Sequence, residues 1–230
     1  MLQQISTDSL PDSFVVFDLE TTGLDASQHE IIEIAAIRFK KGRTAHETMQ
    51  ALVKPKGALP LRITELTGIT QEMVDRDGEQ IRDVLDEFAT FVGDLRLVTF
   101  NTEFDMAFLQ VAAKGNGLRT FKNPTSCALK LARKAWPNRK SYRLDDLAPD
   151  GEFNSGISHR ALEDARRALI VYAAATDALK TKRAQKGSTE KVSTAPKRRA
   201  TQPAKKKLSF GEKMAKGAFS LFISALRKRR

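Results

Sequence analysis

Apolar and polar positions alternate along the first half of the chain in short blocks. Phe14-Val-Val-Phe17 is an apolar run leading into Asp18-Leu-Glu20 and predicts a buried strand. Ile31 to Phe39 is rich in Ile and Ala and predicts a second strand; Lys40-Lys-Gly-Arg43 is a turn, and Glu47 to Val53 a third strand of an antiparallel meander. Pro60 to Val74 reads as loop and short helix. From Gln80 to Val92 the period changes: Ile81, Val84, Leu85, Phe88 and Val92 fall on one helical face. Leu95 to Phe100 predicts a fourth strand, Glu103 to Lys114 a helix. Further helices are expected at Ser126 to Ala135 and Leu144 to Leu147, and a long one from His159 or Arg160 to about Leu179. Three strands, a helix, a strand and then helices describe an α/β sandwich and disfavour the regular βαβ alternation of a dinucleotide-binding fold.

Beyond residue 179 the composition changes. Lys180 to Arg230 holds 17 Lys/Arg against 2 Asp/Glu, leaving 22 basic and 26 acidic residues before it, so the net +11 belongs to the tail and the first part is mildly acidic. The expected organisation is an N-terminal extension (1–12), a folded domain (13–179), a disordered basic linker (180–207) and a basic amphipathic segment (208–230). Such a tail suits a polyanion, nucleic acid or an anionic membrane surface, or docks as a helix on a partner protein. Phe219-Ser-Leu-Phe222 faintly resembles the peptides that bind sliding clamps, without their leading glutamine. No apolar run is long enough for an integral membrane segment. The start of the chain lacks a charged region followed by an apolar stretch, so no secretory signal is expected. A single cysteine, Cys127, excludes an intrachain disulfide and fits a reducing, cytoplasmic setting; its Ala and Leu neighbours place it in a helix core.

Three acidic pieces carry candidate chemistry. Asp18 and Glu20 lie two apart on a strand and project to one face, where their mutual repulsion favours a hard divalent cation such as Mg²⁺ or Mn²⁺. Asp-x-Glu alone is common at solvated strand ends; the full string Phe17-Asp-Leu-Glu-Thr-Thr-Gly-Leu24 is far more specific. Asn101-Thr-Glu-Phe-Asp105 opens a helix, where Asp105 or Glu103 also suits the helix dipole. His159-Arg-Ala-Leu-Glu-Asp164 offers a histidine that titrates near neutrality and, by spacing, Asp164 ahead of Glu163 as a ligand.

Together these pieces resemble the DEDDh exonuclease family, related to the proofreading epsilon subunit of bacterial DNA polymerase III. The resemblance runs from about Phe14 to Thr176, with further matches at Leu59-Pro60, Thr67-Gly-Ile69, Leu131-Ala-Arg133 and Tyr142-Arg-Leu-Asp-Asp-Leu147. It implies a ribonuclease H-like fold, with a mixed five-stranded sheet (or four strands plus an edge strand) flanked by helices. It implies 3′→5′ exonuclease activity, with DNA favoured over RNA and a polymerase among the partners. Two cations would be held by Asp18 as the bridging ligand with Glu20, Asp105 and Asp164, and His159 would accept the proton of the attacking water. Thr21, Thr22 and Leu24 would line the terminal-nucleotide site, Asn101 and Phe104 would meet sugar and base, and Thr67 the penultimate nucleotide. Many members carry His-Asn-Ala-x-Phe-Asp where this chain has Phe100-Asn-Thr-Glu-Phe-Asp105; the acid is retained, the histidine and the small residue are not. An RNA-trimming enzyme and a nucleic-acid-binding module with a vestigial nuclease fold are the alternatives.

Overall fold

The computed structural model describes residues 7–148 and 160–192. Its centre is a five-stranded sheet built from β1 (Ser13–Thr21), β2 (Ile31–Lys40), β3 (Glu47–Leu52), β4 (Leu97–Thr99) and β5 (Thr125–Cys127), in the order β3-β2-β1-β4-β5. The meander β1–β2–β3 is antiparallel, while β4 and β5 add in parallel on the other side of β1. β1 therefore sits mid-sheet, which explains its apolar run: both faces are covered.

The period of two along β1 sorts its side chains. Val15, Phe17 and Leu19 point into one core, formed with α3 (Ile81–Val92) and α4 (Thr102–Gly115). Phe14 and Val16 point into the other, against α5 (Ala128–Ala135), α6 (Leu144–Leu147) and α7 (Ala161–Val192). The four fully buried α3 residues Val84, Leu85, Phe88 and Val92 each contribute about 2 kcal/mol of apolar burial. Asp18 and Glu20 continue the Phe14–Val16 face, so the register that fills the second core also aims both carboxylates at α7.

α7 lies close to the sheet because its inner face is mostly alanine. Ala161, Ala165, Ala168 and Ala175 are all fully buried, at helical spacing. Small residues there let the helix backbone approach β1.

Between β3 and α3 the chain forms two short helices, α1 (Leu61–Thr67) and α2 (Gln71–Asp77). Gly68 ends α1 with φ 71°, a left-handed conformation that glycine adopts without strain. Thr70 caps α2 by accepting from the Met73 N–H.

Three boundaries differ from those read in the sequence. Within the expected N-terminal extension, residues 7–12 pack on the domain: Leu10 is buried in the second core, Ser9 Oγ lies 3.2 Å from Asp177 Oδ1, and Lys180 Nζ lies 3.4 Å from the Asp8 carbonyl. α7 continues past Leu179 to Val192; Lys180, Lys182, Arg183, Ala184, Gln185 and Lys186 are good helix formers that extend a helix already nucleated. Of the expected linker, 180–192 is thus helical, and the remaining tail lies outside the described residues. Cys127 ends β5 rather than sitting inside a helix, with its Sγ 3.3 Å from the Phe100 carbonyl. Among the described residues no helix is long and apolar enough to cross a membrane.

Candidate active site

Three elements converge at the C-terminal end of β1. Asp18 and Glu20 come from the strand, and Asp164 from the first turn of α7. One carboxylate oxygen from each of these three lies within 4.8 Å of the others. Asp105, in the first turn of α4, is 3% exposed and stands beside them. Its charge is, after burial itself, the largest influence raising Asp18 above the ordinary carboxylate range.

The electrostatics of this cluster are adverse without a cation. Burial, followed by the Asp105, Glu20, Asp164 and Glu33 carboxylates, raises Asp18 well above the ordinary range. Glu20 is pushed up to about 9, first by burial and then by Asp164 and Glu33, with Arg160 opposing. Asp105 rises to about 7 through burial, offset in part by a hydrogen bond from the Thr99 hydroxyl. Three carboxylates with oxygen atoms this close, and a fourth beside them, match the hard-oxygen donor set of a divalent-cation site. A divalent cation would lower every one of these pKa values together.

The start of α7 is held by a residue the sequence reading passed over. Glu33, opposite Glu20 in β2, is fully buried. It accepts from Arg160 Nη2 at 2.7 Å, from the Ala161 N–H at 3.0 Å and from Gln50 Nε2 at 2.9 Å. One carboxylate thus satisfies a backbone donor at the helix start and a guanidinium one residue before it. Its signal in the sequence is a lone acid inside the otherwise apolar run Ile31-Ile-Glu-Ile-Ala-Ala-Ile37. We expect Glu33→Gln to cost about 2 kcal/mol by weakening the charge-assisted bonds, a fall in Tm of roughly 5 °C in a thermal melt. A melt within 1 °C of wild type would show that Glu33 does not anchor the helix. Arg167, also buried, reaches Asp164 Oδ1 and Asp145 Oδ1, each at 3.2 Å, and ties α6 to the same carboxylate.

The remaining predicted positions differ in exposure and in the bonds they make. Thr21 is buried, and its hydroxyl donates to the Gly23 carbonyl at 2.6 Å. Thr22 Oγ1 accepts from the Glu30 N–H at 2.9 Å. Gly23 sits against the His29 ring, and a Cβ there would lie 2.5 Å from it, so a side chain at this position would displace the exposed His29. Asp25 accepts from the N–H and the hydroxyl of Ser27, so the loop is braced from within and holds Leu24 85% exposed. Asn101 is exposed at the start of α4, and Phe104 is half-buried against Phe108, ring centroids 5.0 Å apart. Thr67 is 1% exposed, donates to the Ile63 carbonyl and accepts from the Ile69 N–H, so its hydroxyl is engaged in closing α1. Leu66, beside it, is the exposed group. His159 lies outside the described residues, one position before Arg160.

Comparison with known proteins agrees with this arrangement. A family model described as exonuclease, RNase_T, matches residues 15–172. The chain is 42% identical over 156 residues to the DNA polymerase III subunit epsilon of Aquifex aeolicus (strain VF5), an alignment covering 68% of this chain and 76% of that protein. It is 39% identical over 154 residues to the PolC-type DNA polymerase III of Bacillus subtilis (strain 168), covering 66% of this chain but 11% of that polymerase. Among solved structures, apo Exonuclease I superposes with a TM-score of 0.61 at 20% identity, over 74% of this chain and 44% of the other. E. coli Exonuclease I in complex with a dT13 oligonucleotide gives 0.59 at 20% identity, over 71% and 40%. These structures share the ribonuclease H-like fold with this chain, which spans less than half their length. With its sheet, its acidic cluster and the match over residues 15–172 in agreement, the chain belongs to the RNase_T exonuclease family.

Proposed function

We propose that this chain removes nucleotides one at a time from the 3′ end of a DNA strand by metal-dependent phosphodiester hydrolysis. The observation that carries the reading is the convergence of Asp18, Glu20 and Asp164, with Asp105 beside them, on one buried point where their charges conflict. Two Mg²⁺ or Mn²⁺ ions, when bound, would supply Lewis acidity that lowers the pKa of water and stabilises charge on the attacking and leaving oxygens. Asp18 and Glu20 on β1, with Asp105 and Asp164, would hold these ions. His159, one position before Arg160 in the sequence, accepts the proton of the attacking water as the bond from phosphorus to the preceding 3′ oxygen breaks, and that oxygen leaves with a proton from solvent. The backbone around Thr21 and Thr22 receives the terminal nucleotide. Leu24 wedges against its base, and Asn101 and Phe104 border sugar and base.

DNA is the substrate indicated by the company the chain keeps: the related sequences are a DNA polymerase III subunit and DNA polymerases, and a related fold is described with a dT13 oligonucleotide. Association with a polymerase belongs to the same proposal, as does a role for residues 193–230 in holding nucleic acid, an anionic membrane surface or a sliding clamp. The test is digestion of 5′-labelled single-stranded DNA with Mg²⁺, beside the same sequence in RNA and a substrate with a blocked 3′ end. Stepwise shortening of the DNA, abolished by EDTA and by the 3′ block, is expected. Shortening of RNA alone would replace the substrate, and no shortening of either would remove the reading.

A further inference from the structure

The domain is electrically lopsided. From Glu47 to Asp94 there are ten Asp/Glu and five Lys/Arg, and these residues build β3, α1, α2 and α3 at one edge of the sheet. From Met106 to Leu144 there are nine Lys/Arg and no Asp/Glu at all, and these build most of α4, β5 and α5 at the other edge. The rest of the first 179 residues hold 13 Lys/Arg and 26 Asp/Glu, so this basic edge stands out against an acidic background.

The basic edge begins at the rim of the carboxylate cluster. The Leu129 N–H donates to the Phe100 carbonyl at 3.1 Å, and Lys130 Nζ reaches Glu103, two residues before Asp105, at 2.6 Å. From there α5 and the following loop carry Arg133, Lys134 and Lys140 outward, all exposed. Among the described residues, Lys122, Lys134 and Lys140 have no carboxylate partner, and Arg143 has only a 3.9 Å contact to Asp145. Lysines left unpaired on one edge of an acidic domain create a positive potential there, which draws a polyanion to that side.

We propose that this β5–α5 edge is a second phosphate-binding surface, which carries the DNA backbone upstream of the 3′ end away from the carboxylate cluster. It rests on the exonuclease reading for its substrate. The eight residues of α5 span about 12 Å. At 3.4 Å or more per nucleotide, a strand must therefore extend roughly two to four phosphates beyond the site to engage it.

The test compares the full chain with a variant combining Lys122→Glu, Lys134→Glu and Lys140→Glu, using dT3 and dT20. Binding of fluorescein-labelled dT20 is followed by anisotropy with Ca²⁺ against NaCl concentration; turnover of both oligomers is measured with Mg²⁺. The expected result is a slope of log K against log salt reduced by about 2, at roughly 0.7 per single-strand phosphate contact. At 0.1 M salt, dT20 binding is expected to weaken at least about tenfold, while kcat/KM on dT3, too short to reach the edge, stays within about twofold. The same three positions changed to Gln, which removes charge without reversing it, should shift the slope in the same sense. Unchanged dT20 binding in both variants, or an equal fall for dT3 and dT20, overturns the proposal. Failure of the wild-type protein to shorten either oligomer would instead strike the exonuclease reading, since the binding slopes are read without turnover.

Discussion

Asp18→Asn is expected to lower kcat/KM on single-stranded DNA by roughly 10⁴-fold, about 5 kcal/mol of transition-state stabilisation, with KM little changed. The substitution keeps the shape of the side chain and replaces one carboxylate oxygen by an amide. That is enough if Asp18 contacts both ions, because neither is then held in its working position. The same change should stabilise the metal-free protein at pH 8, since it replaces a carboxyl whose ionisation burial, Asp105, Glu20, Asp164 and Glu33 all oppose with a neutral amide. Loss of activity with a raised Tm separates a damaged site from a damaged fold. Glu87→Ala, an exposed acid on α3, serves as the control and should leave kcat/KM within about twofold. Activity of Asp18→Asn within tenfold of wild type would remove Asp18 from the bridging role.

Much of this architecture was legible because burial is written in a strong period. β1 and β2 begin where their apolar runs predict, and α3 follows Ile81, Val84, Leu85, Phe88 and Val92 one residue from the expected start. β5 was not legible as a strand: three residues are too few for a period, and Thr125–Cys127 is strand because β4 offers it a parallel neighbour. Asp18 and Glu20 could be paired from local spacing alone, since a strand sends both to one face. That Asp164 joins them depends on α7 lying close on alanines, and on Glu33 holding its first residue, both of which are tertiary facts. Thr67 shows the reverse case. Its hydroxyl is spent on the backbone of α1, and only the fold reveals that.

The same electrostatics predict how stability responds to pH and to metal. Glu20 near 9 and Asp105 near 7 both bind protons more tightly folded than unfolded, where ordinary carboxyls titrate near 4. Between those limits the unfolded chain carries fewer protons, so the metal-free fold loses stability as pH rises: gradually from about pH 4 to 7 through Asp105, and on to about 9 through Glu20. The stabilisation is fully present at the acid end of this window. It is the opposite of a salt-bridged carboxylate, whose contribution is lost on acidification. In EDTA the Tm should therefore fall by on the order of 10 °C between pH 5 and pH 8, taking a few kcal/mol at 2–4 °C each for a domain of this size. Adding Mn²⁺ or Mg²⁺ should reverse the trend. The deprotonated carboxylates that destabilise the empty cluster at pH 8 are the ones that ligate a cation, so the gain on adding metal must be large at pH 8 and small at pH 5. Asp18→Asn should flatten both responses. A Tm that rises from pH 5 to 8 in EDTA, or that ignores metal at pH 8, would mean that these carboxylates neither repel one another nor share an ion.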